Sequence, residues 1–294
     1  MTATIPQDPA AIGEPGSFGA RLRAAMAARG PLCVGIDPHA ALLSSWGLPD
    51  TVTGLERFAL TVVDALAGQV AVLKPQSAFF ERHGSAGIAV LERTIAAASD
   101  AGALVVLDVK RGDIGSTAAA YADAYLDPAS SLCADAVTAS PYLGFGSLQP
   151  LLDMAAKHDR GVFVLALTSN PEGAQVQLAQ RDGVTVAESV LRQLAAANAG
   201  ARPWGSYGAL VGATVGSAPG DLAINGPLLA PGFGAQGGGV ADLQRVFGKL
   251  LGDVVPSTSR QVLAAGPDIA ALRTVTAEIA ATLEGTRKGT GCTG

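Results

Sequence analysis

The sequence is poor in charged residues, aromatic residues and cysteine, and each shortage excludes a class of protein. Only 15% of the 294 residues are charged and the net charge is −5, so no broad basic surface is available to bind nucleic acid or an anionic membrane. Cys33, Cys133 and Cys292 are too far apart in sequence for a disulfide framework or a zinc cluster. No apolar run is long enough to span a bilayer, and residues 1–20 lack the pattern of a secretory signal. We therefore expect a protein of the reducing cytoplasm.

Apolar residues are abundant, and their arrangement indicates a parallel α/β fold. They make up 49% of the chain, whereas aromatic residues make up 5%, so the core must consist mainly of Ala, Val and Leu. Short apolar runs, each suited to a strand buried on both faces, alternate with Ala-rich segments of helical period. The predicted strands are 32–36, 70–73, 103–109, 136–139, 162–167, 209–213, 227–230 and 253–255.

Eight strands with intervening helices favour a single (β/α)8 barrel, because parallel pairing through right-handed crossovers closes a barrel at eight strands. An open doubly wound sheet is the alternative, but polar and Gly-rich residues follow almost every strand rather than cluster at one switch point. We predict an N-terminal extension with an additional helix in residues 1–30, the barrel in 31–284 and a disordered tail in 285–294. The long interval 169–207 contains the segment PEGAQVQ before a predicted helix at about 184–197, and its length predicts a mobile loop over the site.

The segment LDVKRGDI, which ends the third predicted strand, carries the strongest chemical signal. Asp108 and Lys110 are two residues apart in a strand, so their side chains should share a face at the barrel mouth. They follow the buried run ALVVL directly, where charges without a function would be costly. A lysine among carboxylates is favoured as an ammonium ion and can donate a proton, which argues against an imine-forming aldolase.

The loops after the last two predicted strands, PGFGAQGGG and STSR, suit a phosphate group. Phosphate commonly binds at these loops in (β/α)8 barrels. Backbone N–H groups of the Gly-rich turn can point at an anion, and Arg260 can donate two parallel hydrogen bonds.

The motif D-x-K-x-x-D-I at residues 108–114 resembles the signature of the orotidine 5'-phosphate decarboxylases. The resemblance extends from residue 32 to residue 266 through VGIDPH, LKPQSAFFE, ASPYLG, LTSNPEG, LLAPGFGAQGG and STSRQVLAAG, as in the longer-chain (type 2) branch. It implies decarboxylation of orotidine 5'-phosphate to UMP in pyrimidine biosynthesis, with neither metal nor organic cofactor. It also implies a homodimer.

The resemblance assigns roles to individual residues. Lys74, Asp108, Lys110 and Asp113 match the alternating catalytic array of the family, in which Lys110 is the proton donor. Asp37 matches the carboxylate that binds the ribose hydroxyls.

Other positions match the family's remaining substrate contacts. Asp113 and Thr117 would reach into the neighbouring subunit's site. Ser169 matches the serine that hydrogen-bonds the pyrimidine, and Gln236 and Arg260 match the residues that bind the phosphate.

Two other functions remain open from the sequence. A magnesium-dependent sugar-phosphate decarboxylase or aldolase of the same superfamily would need an acidic metal ligand where Lys74 stands, and an ammonium group there would repel Mg²⁺. The other alternative is a noncatalytic barrel that binds a nucleotide. His39, His83 and His158 share no metal-like spacing, so we interpret them as surface or loop residues.

Overall fold

The chain forms a closed barrel of eight parallel strands in the computed structural model, which describes residues 16–216, 220–234 and 237–289. Each strand pairs with the next along the chain, and the eighth closes the barrel against the first. The predicted (β/α)8 barrel is therefore confirmed. The strands are β1 (Cys33–Ile36), β2 (Val72–Pro75), β3 (Leu104–Arg111), β4 (Ala136–Ala139), β5 (Gly161–Leu167), β6 (Tyr207–Val211), β7 (Leu228–Pro231) and β8 (Val254–Thr258).

Helices surround the barrel, and none in the three described ranges is long and apolar enough to cross a membrane. Short 3₁₀ turns occur at Phe145–Leu148, Pro171–Gly173 and Gly248–Asp253. The helices are α1 (Phe18–Arg29), α2 (Ala40–Ser45), α3 (Val52–Leu66), α4 (Ala78–Glu81), α5 (Gly84–Asp100), α6 (Gly115–Leu126), α7 (Gln149–Lys157), α8 (Ala174–Gln177), α9 (Val186–Ala197), α10 (Val240–Phe247), α11 (Arg260–Leu263) and α12 (Ile269–Gly289).

Helix α1 closes the N-terminal end of the barrel. It begins where the Ser17 hydroxyl accepts a hydrogen bond from Ala20 N, and it ends at Gly30 with φ +76°. Phe18 is fully buried and meets the Phe163 ring edge-to-face at 5.9 Å between centroids. Gly161 allows this approach, because a Cβ there would lie 2.2 Å from the Phe18 ring. The added helix therefore completes the barrel core.

The crossover between β6 and β7 contains no helix within residues 212–216 and 220–227, so the prediction of a helix after every strand is wrong here. The interval is short and rich in glycine and proline, which disfavour helix. Leu222 and Ile224 nevertheless reach the core. Buried Asn198 secures this segment, because its side-chain amide donates to Tyr207 O at 2.7 Å and to Ile224 O at 3.0 Å.

Two further intervals differ from the sequence-based expectation. The interval after β5 contains the predicted helix as α9, but α8 and a small antiparallel hairpin, Gln180–Arg181 with Val184–Thr185, occupy the expected loop before it. Helix α12 extends to Gly289, into the predicted disordered tail, because no proline follows Pro267 to stop it. Residues 290–294, including Cys292, lie outside the described residues.

Candidate active site

A cleft of about 430 Å³ opens at the carboxyl ends of the barrel strands, opposite α1. Its walls are formed by the ends of β2, β3, β6, β7 and β8 and by the segments that follow β1, β2, β5, β7 and β8. Gln236 lies outside the described residues, and Asp113 and Thr117 do not line the cleft. The predicted site residues that line it are Asp37, Lys74, Asp108, Lys110, Ser169 and Arg260.

The Asp108 carboxylate is the centre of a hydrogen-bonded cluster in this cleft. Lys74 Nζ lies 2.7 Å from Oδ2, and Lys110 Nζ lies 2.6 Å from Oδ1. The Thr138 hydroxyl donates to Oδ1 at 2.8 Å, and the Gln76 amide donates to Oδ2 at 3.2 Å. Both carboxylate oxygens are thus held by protein donors in an orientation set by β2, β3 and β4.

Burial and charge act in opposite directions on this cluster. Burial alone would lower the pKa of Lys74, but the negative charges of Asp108 and Asp37 outweigh it and raise that pKa. Burial alone would raise the pKa of Asp108, but Lys74 and Lys110 hold it well below its usual range. Asp108 and Lys74 are therefore both charged at neutral pH.

A bulge in β3 directs the two central side chains into the cleft. Leu107 pairs with Val137 and Arg111 with Ala139, so the pairing shifts register across the intervening residues of β3. Lys110 lies in this bulge with φ +46°, a value that residues other than glycine rarely adopt. The residue directly after β3 is Gly112, and only glycine fits this position because a Cβ there would lie 2.3 Å from the Ser140 carbonyl oxygen.

The adjoining wall of the cleft, where β1 and β8 end, contains buried polar atoms that lack partners, and we call it the polar wall. Asp37 Oδ1, Thr258 Oγ1 and Ser259 Oγ are buried without a hydrogen bond to any described residue. Gly35 allows the side chains of Asp37 and Ser259 to pack closely against the backbone, because a Cβ at Gly35 would lie 2.9 Å from Ser259 Cβ and 3.0 Å from Asp37 Oδ2. Buried polar groups are seldom left unsatisfied, so this wall is suited to bind a polar ligand.

The Gly-rich segment after β7 borders this polar wall. Gly232 and Phe233 line the cleft, and Gly232 has φ +94°. Gly234 N donates to Gly238 O at 2.7 Å, which folds the described part of the segment into a tight turn. Arg260, the first residue of α11, is exposed beside it. An anion at this position would meet the guanidinium group of Arg260, whereas the described amides between Phe233 and Gly239 already donate hydrogen bonds within the protein.

Several residues in or beside the cleft were missed by the sequence reasoning. His39 lies in a loop, as expected, but that loop borders the cleft and His39 packs against the Phe79 ring at 4.2 Å between centroids. Gln76 could have been found, because it lies two residues after Lys74, as Lys110 does after Asp108. Thr138 is the one polar side chain within β4, which was also a readable signal.

Asp113 and Thr117 lie beside the cleft on an exposed surface. Asp113 Oδ1 accepts a hydrogen bond from Ile114 N at 2.8 Å, and the Thr117 side chain is exposed. Ile114, Tyr142 and Leu143 are large apolar side chains with exposed fractions of 62%, 76% and 52%. We call these three residues the apolar rim. Their loops are adjacent, since Ser140 N donates to Arg111 O at 2.8 Å.

No group of three or more metal-ligating side chains occurs within the described ranges.

Comparison with known proteins identifies the family. A sequence model of the Orotidine 5'-phosphate decarboxylase / HUMPS family matches residues 30–275.

Individual relatives agree with that match. The orotidine 5'-phosphate decarboxylases of Salinispora arenicola and Streptomyces coelicolor are 66% and 64% identical over 259 residues, which are 87% of this chain and 93% of each relative. The crystal structure of a Streptomyces avermitilis protein given the same name has a TM-score of 0.90 at 61% identity and covers 92% of this chain and 95% of its own. The Leishmania donovani OMP decarboxylase structure has a TM-score of 0.74 at 30% identity, with 92% and 99% covered. This chain belongs to the orotidine 5'-phosphate decarboxylase / HUMPS family.

Proposed function

We propose that this chain converts orotidine 5'-phosphate to UMP and CO₂, a step of de novo pyrimidine biosynthesis. The observation that carries the proposal is the ionised Asp108 held between Lys74 and Lys110 at the mouth of the barrel. Family membership and relatives named for this activity support it. The reaction needs neither metal nor organic cofactor in this proposal, and the free thiols of Cys33 and Cys133 are compatible with a cytoplasmic location.

The proposed substrate lies across the cleft with its phosphate toward Arg260 and Gln236. Asp37 binds the ribose hydroxyls, which would satisfy its buried unpaired oxygen. Ser169, which follows β5 on the cleft wall, hydrogen-bonds the pyrimidine. Carbon C6 then lies near the lysines around Asp108.

Loss of CO₂ from C6 leaves an electron pair in the plane of the pyrimidine, where the ring carbonyls do not delocalise it. The C6–CO₂ bond breaks, and the ammonium of Lys110 stabilises the carbanion by its charge and then transfers a proton to C6. Asp108 keeps that ammonium in position through the 2.6 Å contact. Lys74 balances the second carboxylate oxygen and holds Asp108 in place.

The direct test is ultraviolet absorbance of orotidine 5'-phosphate mixed with EDTA-treated protein. We expect the substrate band to disappear without added metal, and Lys110→Ala to abolish the change. Lys157→Ala, at an exposed helix end, is the matched control. Activity restored only by Mg²⁺ would instead favour a metal-dependent enzyme of the superfamily, and tight binding without turnover would favour a noncatalytic barrel.

The active form in this proposal is a homodimer in which Asp113 and Thr117 complete the neighbour's site. Both residues lie outside their own cleft, and the apolar rim beside them is suited to bury against a second copy.

Subunit mixing tests the shared site. Lys110→Ala and Asp113→Ala should each be nearly inactive alone, whereas a mixed dimer contains one site with neither substitution. Random exchange between the two variants should therefore restore about a quarter of wild-type activity, because half the dimers are mixed and each has one intact site. A mixture as inactive as its components would show that each subunit supplies its whole site.

A further inference from the structure

The β3 bulge leaves one side chain of β4 opposite the residues that the proposed reaction depends on. Leu107 and Arg111 pair with Val137 and Ala139, so residues 108–110 of β3 face Thr138 alone. In a regular parallel pair, the Lys110 amide would donate to a backbone carbonyl of the neighbouring strand. Here it donates to the Thr138 hydroxyl oxygen at 2.9 Å.

The Thr138 hydroxyl has its hydrogen bonds fixed in direction. Asp108 is ionised and can only accept, so the hydroxyl must donate its proton to Oδ1 across the 2.8 Å contact. A lone pair of the same oxygen then accepts the Lys110 N–H. Thr138 is fully buried, so water does not compete for either bond. One hydroxyl therefore joins the backbone of Lys110 to the carboxylate of Asp108.

We propose that Thr138 is a positioning residue that fixes the Lys110 ammonium against the Asp108 carboxylate, an inference that rests on the proposed decarboxylation. The left-handed backbone at Lys110, φ +46°, is costly for a residue with a side chain and needs surrounding contacts to hold it. The bond from Lys110 N to Thr138 is such a contact. Without it, the bulge can relax and move the Lys110 side chain away from the reacting carbon.

The position of Thr138 separates its effect on turnover from its effect on binding. It does not line the cleft, and the polar wall of Asp37, Thr258 and Ser259 is made by other strands. Asp108 keeps Lys74, Lys110 and Gln76 as donors when the hydroxyl is removed, so it stays charged. We therefore expect loss of the hydroxyl to lower kcat much more than it weakens nucleotide binding.

The test compares Thr138→Val, which keeps the shape and removes the hydroxyl, with Thr138→Ser, which keeps the hydroxyl. Thr94→Val is the matched control, because Thr94 is also fully buried and its hydroxyl donates to Val90 O at 2.8 Å within α5. Steady-state decarboxylation gives kcat and KM, and calorimetric binding of UMP gives affinity without chemistry.

A displaced catalytic group can cost on the order of a hundredfold in rate, so we expect Thr138→Val to lower kcat by about tenfold to a hundredfold. KM and UMP affinity should stay within about threefold, Thr138→Ser should retain most of kcat, and Thr94→Val should retain all of it.

Three outcomes would overturn the inference: wild-type kcat in Thr138→Val, an equal loss in Thr138→Ser, or a loss of UMP affinity as large as the loss of kcat. If Thr138→Val does not fold, Thr138→Cys replaces it, since a thiol is a weak donor and acceptor; wild-type kcat in that variant counts against the inference equally. If the wild-type protein does not turn over orotidine 5'-phosphate, the proposed function is overturned. If the wild-type protein and Thr138→Val are equally active, only the inference about Thr138 is overturned.

Discussion

The two walls of the cleft differ in how completely the protein satisfies its own polar groups. On the catalytic wall, both oxygens of Asp108 accept hydrogen bonds from side chains of β2, β3, β4 and the residue after β2. On the polar wall, Asp37 Oδ1, Thr258 Oγ1 and Ser259 Oγ are buried without partners among the described residues. Both walls stand on the same barrel, so the contrast arises from the side chains.

This difference separates two uses of buried polarity. Charges that act on the reacting carbon stabilise the transition state most when they are fixed before the substrate arrives, since no reorganisation is then needed during the reaction. Groups that recognise the substrate contribute most to binding when the substrate itself supplies their missing hydrogen-bond partners. We therefore expect substitutions on the catalytic wall to cost stability and turnover, and substitutions on the polar wall to cost mainly binding.

The largest effect is expected for Lys74→Met on the catalytic wall. Removal of this ammonium leaves buried Asp108 without one of its two lysines, and breaking a buried ion pair costs about 3–5 kcal/mol of unfolding free energy. Turnover should fall by about a thousandfold or more, because the carboxylate that orients Lys110 loses its support. Chemical denaturation and steady-state kinetics measure both changes. Lys157→Met is the control, and unchanged stability of Lys74→Met would contradict the ion-pair account.

A smaller effect is expected for Arg260→Ala beside the polar wall. Loss of a charged contact to phosphate should lower kcat/KM by roughly tenfold to a hundredfold, since such contacts contribute about 1.5–3 kcal/mol. The same substitution should change little when the substrate is orotidine without its phosphate, which itself should lose turnover as well as affinity. The four kcat/KM values form a double cycle. Equal losses with both substrates would show that Arg260 does not bind the phosphate.

The contrast between the walls could be predicted only in part from the sequence. The strand-end positions of Asp37, Lys74 and Asp108 follow from apolar runs that stop at charged residues, and these three side chains do line one cleft. The bulge in β3 could not be predicted, because spacing in sequence does not reveal a change of register with the neighbouring strand. Thr138 could have been noticed as the one polar residue of β4, but its role could not be predicted, since that role depends on the register.

The crossovers show the same limit from another direction. Regular alternation predicts helices between all strands, but it does not weigh the glycine and proline between β6 and β7. The core there is completed by Leu222 and Ile224 instead of a helix. The sequence pattern predicted the helices and strands with a clear hydrophobic period, whereas the structure of the short irregular segments depends on tertiary packing.

A still smaller effect on stability is expected for Asp37→Asn on the polar wall. The substitution breaks no hydrogen bond at Oδ1, which has no partner in the described residues, and Lys74 keeps the Asp108 carboxylate in contact when the Asp37 charge is removed. The melting temperature without ligand should therefore stay within a few degrees of wild type, whereas UMP binding should weaken by about tenfold or more. Thermal unfolding with and without UMP measures both. A large loss of stability without ligand would show that Asp37 supports the fold rather than the ligand.

The smallest effect is expected from pH on the ion pair of the catalytic wall. The pKa of Asp108 is lowered in the folded protein, so its contribution to stability is present above the pKa of an unfolded aspartate, about 3.9, and is lost as pH falls below that value. The pKa of Lys74 is raised, so its contribution is present below the pKa of an unfolded lysine, about 10.4, and is lost only at higher pH. The difference in unfolding free energy between wild type and Lys74→Met should therefore be flat from about pH 5 to about pH 9. Urea denaturation at intervals across this range measures it, and a slope near neutral pH would mean that one member of the pair titrates there and is not held charged by the other.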